Sequence, residues 1–131
     1  MTLVLDTTIL IEIKNRNEEI IKKLKDLSLV YSQPAKITFI TQFEFLFGIK
    51  EKNSRNQEKA LDMLNQFVIL HTTDKTANIL SNLKYNYEKK GINFKLADLI
   101  IASLVIENNL ILLTQDTDFE KLDELNKIII K

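Results

Sequence analysis

The stretch Lys95-Leu96-Ala97-Asp98-Leu99-Ile100-Ile101-Ala102-Ser103-Leu104-Val105-Ile106 is almost entirely apolar, yet it carries one carboxylate near its start. A segment that is apolar on all sides is typical of a buried helix. An unpaired charge is costly to bury, so Asp98 requires a cation, a hydrogen-bond donor or water close by. We interpret Asp98 as one ligand of a divalent metal ion, shared with acids from distant parts of the chain.

Composition excludes several classes of site. The chain has 131 residues with 45% apolar content, which predicts one domain over residues 1–131 with its own core. It contains no cysteine and a single histidine, which excludes disulfides, thiolate metal sites and multi-histidine sites. Lys+Arg and Asp+Glu both number 18, so bulk charge gives no argument for nucleic-acid or membrane binding. The apolar run is too short to span a bilayer and the N-terminus does not resemble a signal peptide, so we expect a cytoplasmic location and no membrane partner.

Short apolar strands alternate with helices along the chain. Strands are predicted at 2–5, 36–40, 67–70, 110–113 and 127–130. Helices are predicted at 9–14, 18–27, 41–50, 57–66, 74–90 and around Asp98, with a loop at 53–56, a second loop at 114–118 and a helical turn at 119–122. Continuously apolar strands that alternate with helices indicate an α/β fold with a parallel sheet covered on both faces.

The segment Thr41-Gln42-Phe43-Glu44 matches a capping box, with Thr41 as N-cap and Glu44 three residues later. The helix that it opens carries Phe43, Phe45 and Phe47, which cannot all face the same way. We therefore expect this helix to lie between its own sheet and a partner surface. In the next helix, Ala60, Leu61 and Leu64 are predicted to face inward.

Four acids are predicted to converge at one edge of the sheet. Asp6 and Asp116 follow the first and fourth strands, while Glu44 and Asp98 lie in the first turns of their helices. Ligands of parallel sheets bind at the carboxyl ends of the strands. Clustered carboxylates repel each other and are stabilised by cations, and oxygen-only ligands suit Mg²⁺ or Mn²⁺.

Four motifs carry a resemblance to a known family. They are Asp6-Thr7-Thr8, Thr41-Gln42-Phe43-Glu44-Phe45-Leu46-Phe47-Gly48-Ile49, Ala97-Asp98-Leu99-Ile100-Ile101-Ala102 and Leu113-Thr114-Gln115-Asp116-Thr117-Asp118-Phe119. Together they resemble the motifs of PIN-domain nucleases, and in particular of the VapC toxins of prokaryotic toxin–antitoxin pairs. The resemblance implies a three-layer α/β/α sandwich with a central, mostly parallel sheet of four to five strands.

The resemblance also implies roles for individual residues. Asp6 and Asp98 match the principal Mg²⁺ (or Mn²⁺) ligands. Glu44 and Asp116 match acids that bind a second metal ion or the water on it, so these four form the catalytic set. Asp118 matches a further acid that can act from behind the ligands. Thr7 and Thr114 match hydroxyls that orient acids or touch phosphate, and we assign Lys95 to substrate binding. Thr8 departs from the Ser or Asn more common at its position.

The same resemblance implies partners. PIN-domain nucleases of this type cleave single-stranded or loop regions of RNA, tRNA among them, by metal-dependent hydrolysis. They are inhibited by a VapB-like antitoxin, which we expect to lie across residues 43–47 and to place a basic side chain on the acids. The aromatic helix predicts a homodimer or a dimer of dimers. Lys14, Arg16, Lys90 and Lys95 are candidate RNA contacts.

The same residues are compatible with simpler roles and with other functions. Asp6 and Glu44 have alternative roles in helix capping, Asp98 in pairing with Lys95, and Asp116 and Asp118 in turns. A catalytically silent PIN-like module that binds RNA or protein is the main alternative function. A receiver domain requires an acceptor Asp after the third strand, where His71 stands, and a haloacid-dehalogenase-like phosphatase requires an Asp at Thr8.

Overall fold

A parallel sheet of five strands forms the centre of the fold. The computed structural model describes residues 1–52 and 57–131, so the loop predicted at 53–56 lies outside the described residues. The strands are β1 (Leu3–Leu5), β2 (Lys36–Thr38), β3 (Val68–Leu70), β4 (Ile111–Thr114) and β5 (Lys127–Ile129). They are arranged in the order β3-β2-β1-β4-β5, and every neighbouring pair is parallel. The N-terminal strand is therefore central, and the ends of β1 and β4 lie side by side.

Helices connect the strands. They are α1 (Thr7–Lys14), α2 (Glu18–Ser28), α3 (Phe39–Lys52), α4 (Gln57–Leu64), α5 (Asp74–Lys89) and α6 (Leu96–Glu107), followed by a 3-10 helix at Thr117–Lys121. Helix α5 ends where Gly91 adopts a left-handed backbone with φ of 78°, which a residue without a side chain adopts at little cost. Within the described ranges, no helix combines the length and the apolar character needed to cross a membrane.

The helices cover both faces of the sheet. Side chains of a strand alternate between faces, so Leu3 and Leu5 pack with buried residues of α1 to α4, whereas Val4 packs with α5 and α6. The predicted three-layer α/β/α sandwich with a parallel sheet is therefore confirmed.

Helix α6 is buried along most of its length, as its sequence predicts. Its buried residues are Leu99, Ile101, Ala102, Ser103, Leu104 and Val105. The one buried hydroxyl among them is satisfied, because Ser103 donates to the carbonyl of Leu99 at 2.7 Å. Burial on several sides fixes α6 and, with it, the position of Asp98 in its first turn.

The junction of β2 and α3 differs from the prediction. The strand ends at Thr38, and α3 begins at the next residue, so Ile40 is helical. The Thr38 hydroxyl accepts the N–H of Thr41 at 3.2 Å and caps the helix three residues before the predicted site. The predicted capping box is therefore wrong, because Thr41 lies inside the helix. Glu44 consequently lies in the second turn, not the first.

Three further predictions differ from the structure in burial or in the bounds of an element. Leu61 is 38% exposed, because Ala60 and Leu64, four residues apart, already occupy the buried face of α4. Thr114 belongs to β4, since it pairs with Ile129 of β5. The predicted helical turn at 119–122 is the 3-10 helix, which begins two residues earlier, at Thr117, and contains the buried Phe119.

Helix α5 offers a matched test of the core. Leu83 is 5% exposed in the α5–α6 cluster, whereas Tyr85, two residues away on the same helix, is 63% exposed. We expect Leu83→Ala to lower the free energy of unfolding by about 2–5 kcal/mol, because it removes a buried side chain and leaves a cavity. Tyr85→Ala is expected to cost less than about 1 kcal/mol. Urea denaturation measures both, and equal losses would contradict the assigned burial.

Candidate active site

Asp6 is fixed by the pairing of β1 and β4. Leu5 is in register with Leu113, so Asp6 and Thr114 follow at the carboxyl ends of neighbouring strands. The N–H of Asp6 donates to the carbonyl of Leu113 at 2.9 Å. The Thr114 hydroxyl donates to Oδ2 of Asp6 at 2.6 Å, and the Asp6 side chain is almost fully buried. Two residues 108 positions apart thus form a single unit.

A second hydroxyl supports the same carboxylate. Thr8 donates to Oδ2 of Asp6 at 3.3 Å and accepts the N–H of Gln115 at 3.3 Å. Burial raises the pKa of Asp6 above its ordinary value and Glu44 raises it further, while the hydrogen bond from Thr114 acts in the opposite direction. Asp6 occupies the N-cap position of α1 but makes no side-chain capping hydrogen bond. The Oδ2 atom of Asp6 accepts instead from the hydroxyls of Thr114 and Thr8.

Glu44 is held by the first residue of α1. The Thr7 hydroxyl donates to Oε1 of Glu44 at 2.7 Å and lies 3.1 Å from the Thr41 hydroxyl. Because Thr7 has one hydroxyl proton, Thr41 is left as the donor of the second bond. Thr7 thus orients an acid, the kind of role predicted for it, and Glu44 does not act as half of a capping box.

The other three acids come together between α6 and the loop after β4. Carboxylate oxygens of Asp98, Asp116 and Asp118 lie within 4.8 Å of one another. The Thr114 hydroxyl accepts the N–H of Asp116 at 3.0 Å, and Oδ1 of Asp116 accepts the N–H of Asp118 at 2.9 Å. The hydroxyl that holds Asp6 therefore also orders the loop that carries two further carboxylates.

Neighbouring carboxylates affect the protonation of Asp98. Its pKa is raised from 3.8 to about 6, first by burial and then by repulsion from Asp116, Asp6 and Glu44. Lys95, one turn earlier, lowers it in part. The carboxylates of Asp6, Glu44 and Asp116 are therefore near enough to Asp98 to repel its charge.

The close group of carboxylates differs in membership from the four predicted catalytic acids. The close group contains Asp118, which the sequence placed behind the ligands. Over residues 1–52 and 57–131, neither Asp6 nor Glu44 joins a group that tight. An all-oxygen set of three carboxylates fits a hard divalent cation such as Mg²⁺ or Mn²⁺.

Two residues near the acids were not predicted. Thr41 lies one helical turn before Glu44, and its hydroxyl contacts the hydroxyl of Thr7. The spacing of three residues between Thr41 and Glu44 was the sequence signal, because residues three apart are neighbours on a helix surface. Lys121 lines a recess of about 190 Å³ together with Lys95, Asp98 and Asp118. It follows Asp118 by three residues, which is one turn of the 3-10 helix. The recess therefore brings two cations next to the carboxylates.

The sequence matches the PIN domain over residues 3–125. The chain belongs to the PIN-domain family. It is 30% identical over 104 residues to Ribonuclease VapC3 of Methanocaldococcus jannaschii, a match that covers 79% of this chain and 98% of the relative. The predicted resemblance to VapC-type PIN domains is confirmed.

Solved structures agree with this assignment. VapBC2 from Rickettsia felis, bound to a DNA fragment from its promoter, superposes with a TM-score of 0.82 at 23% identity over 98% of both chains. DNA-bound VapBC from Salmonella typhimurium gives a TM-score of 0.79 at 21% identity, also over 98% of both chains. At these identities the likeness establishes the PIN fold.

The raised pKa of Asp98 generates a prediction for stability without metal. The pKa of Asp98 in the folded protein exceeds its ordinary value, so between about pH 4 and about pH 6 the folded state keeps a proton that the unfolded chain loses. The free energy of unfolding therefore falls as pH rises from about 4 to about 6. In EDTA at neutral pH, Asp98→Asn should therefore be more stable than the native chain. We expect about 1 kcal/mol after allowance for solvent screening of this half-buried group, or a few degrees in Tm.

Differential scanning fluorimetry measures this difference. The gain should shrink as pH falls towards about 4, where the Asp98 carboxyl is protonated in the folded chain. Adding Mg²⁺ or Mn²⁺ should raise the Tm of the native chain more than that of the variant. An Asp98→Asn chain that is no more stable than the native one in EDTA would contradict the repulsion described above.

Proposed function

We propose that this PIN-domain protein is an endoribonuclease that hydrolyses RNA phosphodiester bonds with a divalent cation, Mg²⁺ or Mn²⁺, and that it is the toxin of a VapBC-like pair. The observation that carries the proposal is the close group of Asp98, Asp116 and Asp118 beside the buried Asp6. Such a concentration of negative charge costs stability in the absence of cations. The name of the relative Ribonuclease VapC3 supports the same activity.

The donor set fits a divalent cation. Asp98, Asp116 and Asp118 would hold it, with Asp6 at the buried side of the site. When bound, the cation supplies neutralisation of phosphate charge and activation of water for in-line displacement at phosphorus. The chain has no cysteine and one histidine, so we assign no covalent nucleophile to the protein.

The protein side chains have separate tasks in this hydrolysis. Thr7 fixes the Oε1 atom of Glu44, so Glu44 is oriented to accept a proton from the attacking water as the new P–O bond forms. Thr114 fixes both Asp6 and the loop of Asp116, and this keeps the carboxylates in place when the substrate enters. The leaving oxygen takes a proton from solvent water as the old P–O bond breaks.

Two cations are positioned to bind the substrate phosphate. Lys95 and Lys121 line the recess that also contains Asp98 and Asp118. A lysine ammonium is a strong point charge on a flexible stem and suits a phosphate oxygen. We assign single-stranded or loop RNA, tRNA loops included, as the substrate class, because unpaired backbone bends most readily into a small recess.

An antitoxin of the VapB type is the proposed protein inhibitor. Structural relatives of this chain are VapBC complexes. The surplus of carboxylates at the site is complementary to an arginine or lysine side chain of such a partner. A basic side chain on Asp98 and Asp116 would occupy the position of the cation.

A homodimer is proposed through the exposed stripe of α3. Phe39, Phe43 and Phe47 follow one another at intervals of four residues and are 46%, 55% and 53% exposed. Phe43 and Phe47 stack with ring centroids 6.1 Å apart, while Phe45 is buried in the core. Three exposed aromatic rings on one face are typical of a protein interface. A dimer formed there, or a dimer of dimers, would cover them.

Cleavage of RNA tests the proposed activity. A mixed pool of single-stranded RNA and tRNA should be cut by the native chain in Mg²⁺ or Mn²⁺ and left intact in EDTA. Asp98→Asn removes a charged ligand at nearly constant size and should lower the rate at least about 100-fold. Gel electrophoresis of end-labelled RNA measures both. Equal cleavage by the variant would remove Asp98 from the site, and no cleavage by the folded native chain would favour the silent module.

The oligomeric state tests the aromatic stripe. The native chain should sediment as a dimer or tetramer at micromolar concentration, whereas Phe43→Lys places a charge on the stripe and should produce monomers. Val30→Lys is the matched control, because Val30 is 73% exposed and lies outside α3. Analytical ultracentrifugation distinguishes these species. A monomeric native chain would contradict the interface.

A further inference from the structure

A second charged feature lies away from the carboxylates. Four cations, Lys14, Arg16, Lys52 and Lys59, line a cleft of about 680 Å³ whose apolar wall includes Ile13 and Met63. We name it the basic cleft. In the part of the chain that the structure describes, no acidic side chain lines it. Since the chain as a whole carries equal numbers of acids and bases, this is a local segregation of positive charge.

Among the described residues, the cations of the cleft form no salt bridge with an acid. The salt bridges among residues 1–52 and 57–131 involve Lys23, Lys84 and Lys131, none of which lines the cleft. Lys14 packs over the Phe45 ring instead, at 5.8 Å from its centroid. Mutual repulsion of unpaired cations is relieved by an anionic ligand.

The same two helices join the basic cleft to the acidic site. Helix α1 begins beside Asp6 and ends at Lys14, and the part of α3 that follows Glu44 ends at Lys52, the last residue of the helix. Each path covers eight residue steps or fewer, which is roughly 12 Å at the rise of an α-helix. A ligand that extends from the acids along α1 and α3 would therefore reach the cleft.

We propose that the basic cleft binds the sugar-phosphate backbone of the RNA on one side of the cleaved bond. This proposal deepens the proposed ribonuclease function, on which it rests. Lysine and arginine side chains that border an open groove suit a flexible, polyanionic strand. Contacts of this kind position the strand and do not read its bases, so the cleft would increase affinity without selecting a sequence.

Binding of RNA can be measured separately from cleavage. The probe is a fluorescein-labelled oligouridylate of about 16 nucleotides, in Ca²⁺ to neutralise the carboxylates, with its integrity checked on a gel. Fluorescence anisotropy is compared for the native chain and for Lys52→Gln/Lys59→Gln. Both side chains are exposed, so the double variant is expected to fold, as circular dichroism would verify.

Loss of two phosphate contacts has a defined signature. For single strands each contact contributes about 0.7 to the slope of log affinity against log salt, so the slope should fall by about 1.4. If the two chains bind RNA equally at 1 M salt, the double variant should bind about 25-fold more weakly at 0.1 M salt. The matched control is Lys22→Gln/Lys25→Gln on the exposed side of α2, which removes the same charge away from the cleft and should change neither quantity.

The outcomes distinguish RNA binding in the basic cleft from binding of another ligand and from the ribonuclease function. Unchanged affinity and salt slope in the cleft variant, or equal losses in the control variant, would overturn the proposal. Binding of polyglutamate that is lost in the cleft variant while RNA binding is kept would assign the cleft to an acidic protein segment and also overturn it. Failure of the native chain to cleave RNA, with the predicted loss of binding intact, would refute the proposed ribonuclease function and leave the cleft as an RNA-binding site.

Discussion

The hydrogen bond from Thr114 to the buried carboxylate of Asp6 is the contact on which the site depends. It exists because β1 and β4 pair in parallel with Leu5 opposite Leu113. The same hydroxyl accepts the N–H of Asp116, so one side chain sets both the buried acid and the loop that carries Asp116 and Asp118. A shift in the register between β1 and β4 would separate Asp6 from Thr114 and from the loop that follows β4. The sheet core is therefore also the scaffold of the acidic site.

Repulsion at this edge of the sheet is resisted by packing. The buried residues of α6 hold the helix in place, so Asp98 cannot move away from the neighbouring carboxylates. Burial and repulsion by these carboxylates raise the pKa of Asp98. Thr7, Thr8 and Thr114 offset part of the cost by donating hydrogen bonds to Glu44 and Asp6. The arrangement lowers the stability of the protein in return for a preformed cluster of acids, which is common at functional sites.

The remaining surface features have a common origin in α1 and α3. Helix α3 buries Phe45 in the core and leaves Phe43 and Phe47 exposed, because residues two apart on a helix cannot share one face. Along α1, the N-terminal end meets the acids and the C-terminal end carries Lys14 into the basic cleft. Opposite charges at the two ends of the same helices would orient a polyanionic strand, with its reacting phosphate at the acids and its backbone on the cations.

The alternation of apolar strands with helices was enough to predict the parallel sheet and its layers. The motifs around Asp6, Glu44, Asp98 and Asp116 predicted a common acidic site, whereas the carboxylates within 4.8 Å of one another are those of Asp98, Asp116 and Asp118. Local patterns failed where two hydroxyls competed: Thr38 rather than Thr41 caps α3, because the strand ends directly at the helix. The role of Asp118 behind the ligands stays a prediction, and its carboxylate lies within 4.8 Å of those of Asp98 and Asp116. What the sequence determined by itself was the identity of the elements and the acids, since these follow from hydrophobic periodicity and residue type. Only the tertiary structure decided which hydroxyl holds which carboxylate and where the cations collect, because those distances depend on strand register and helix packing between residues far apart in the chain.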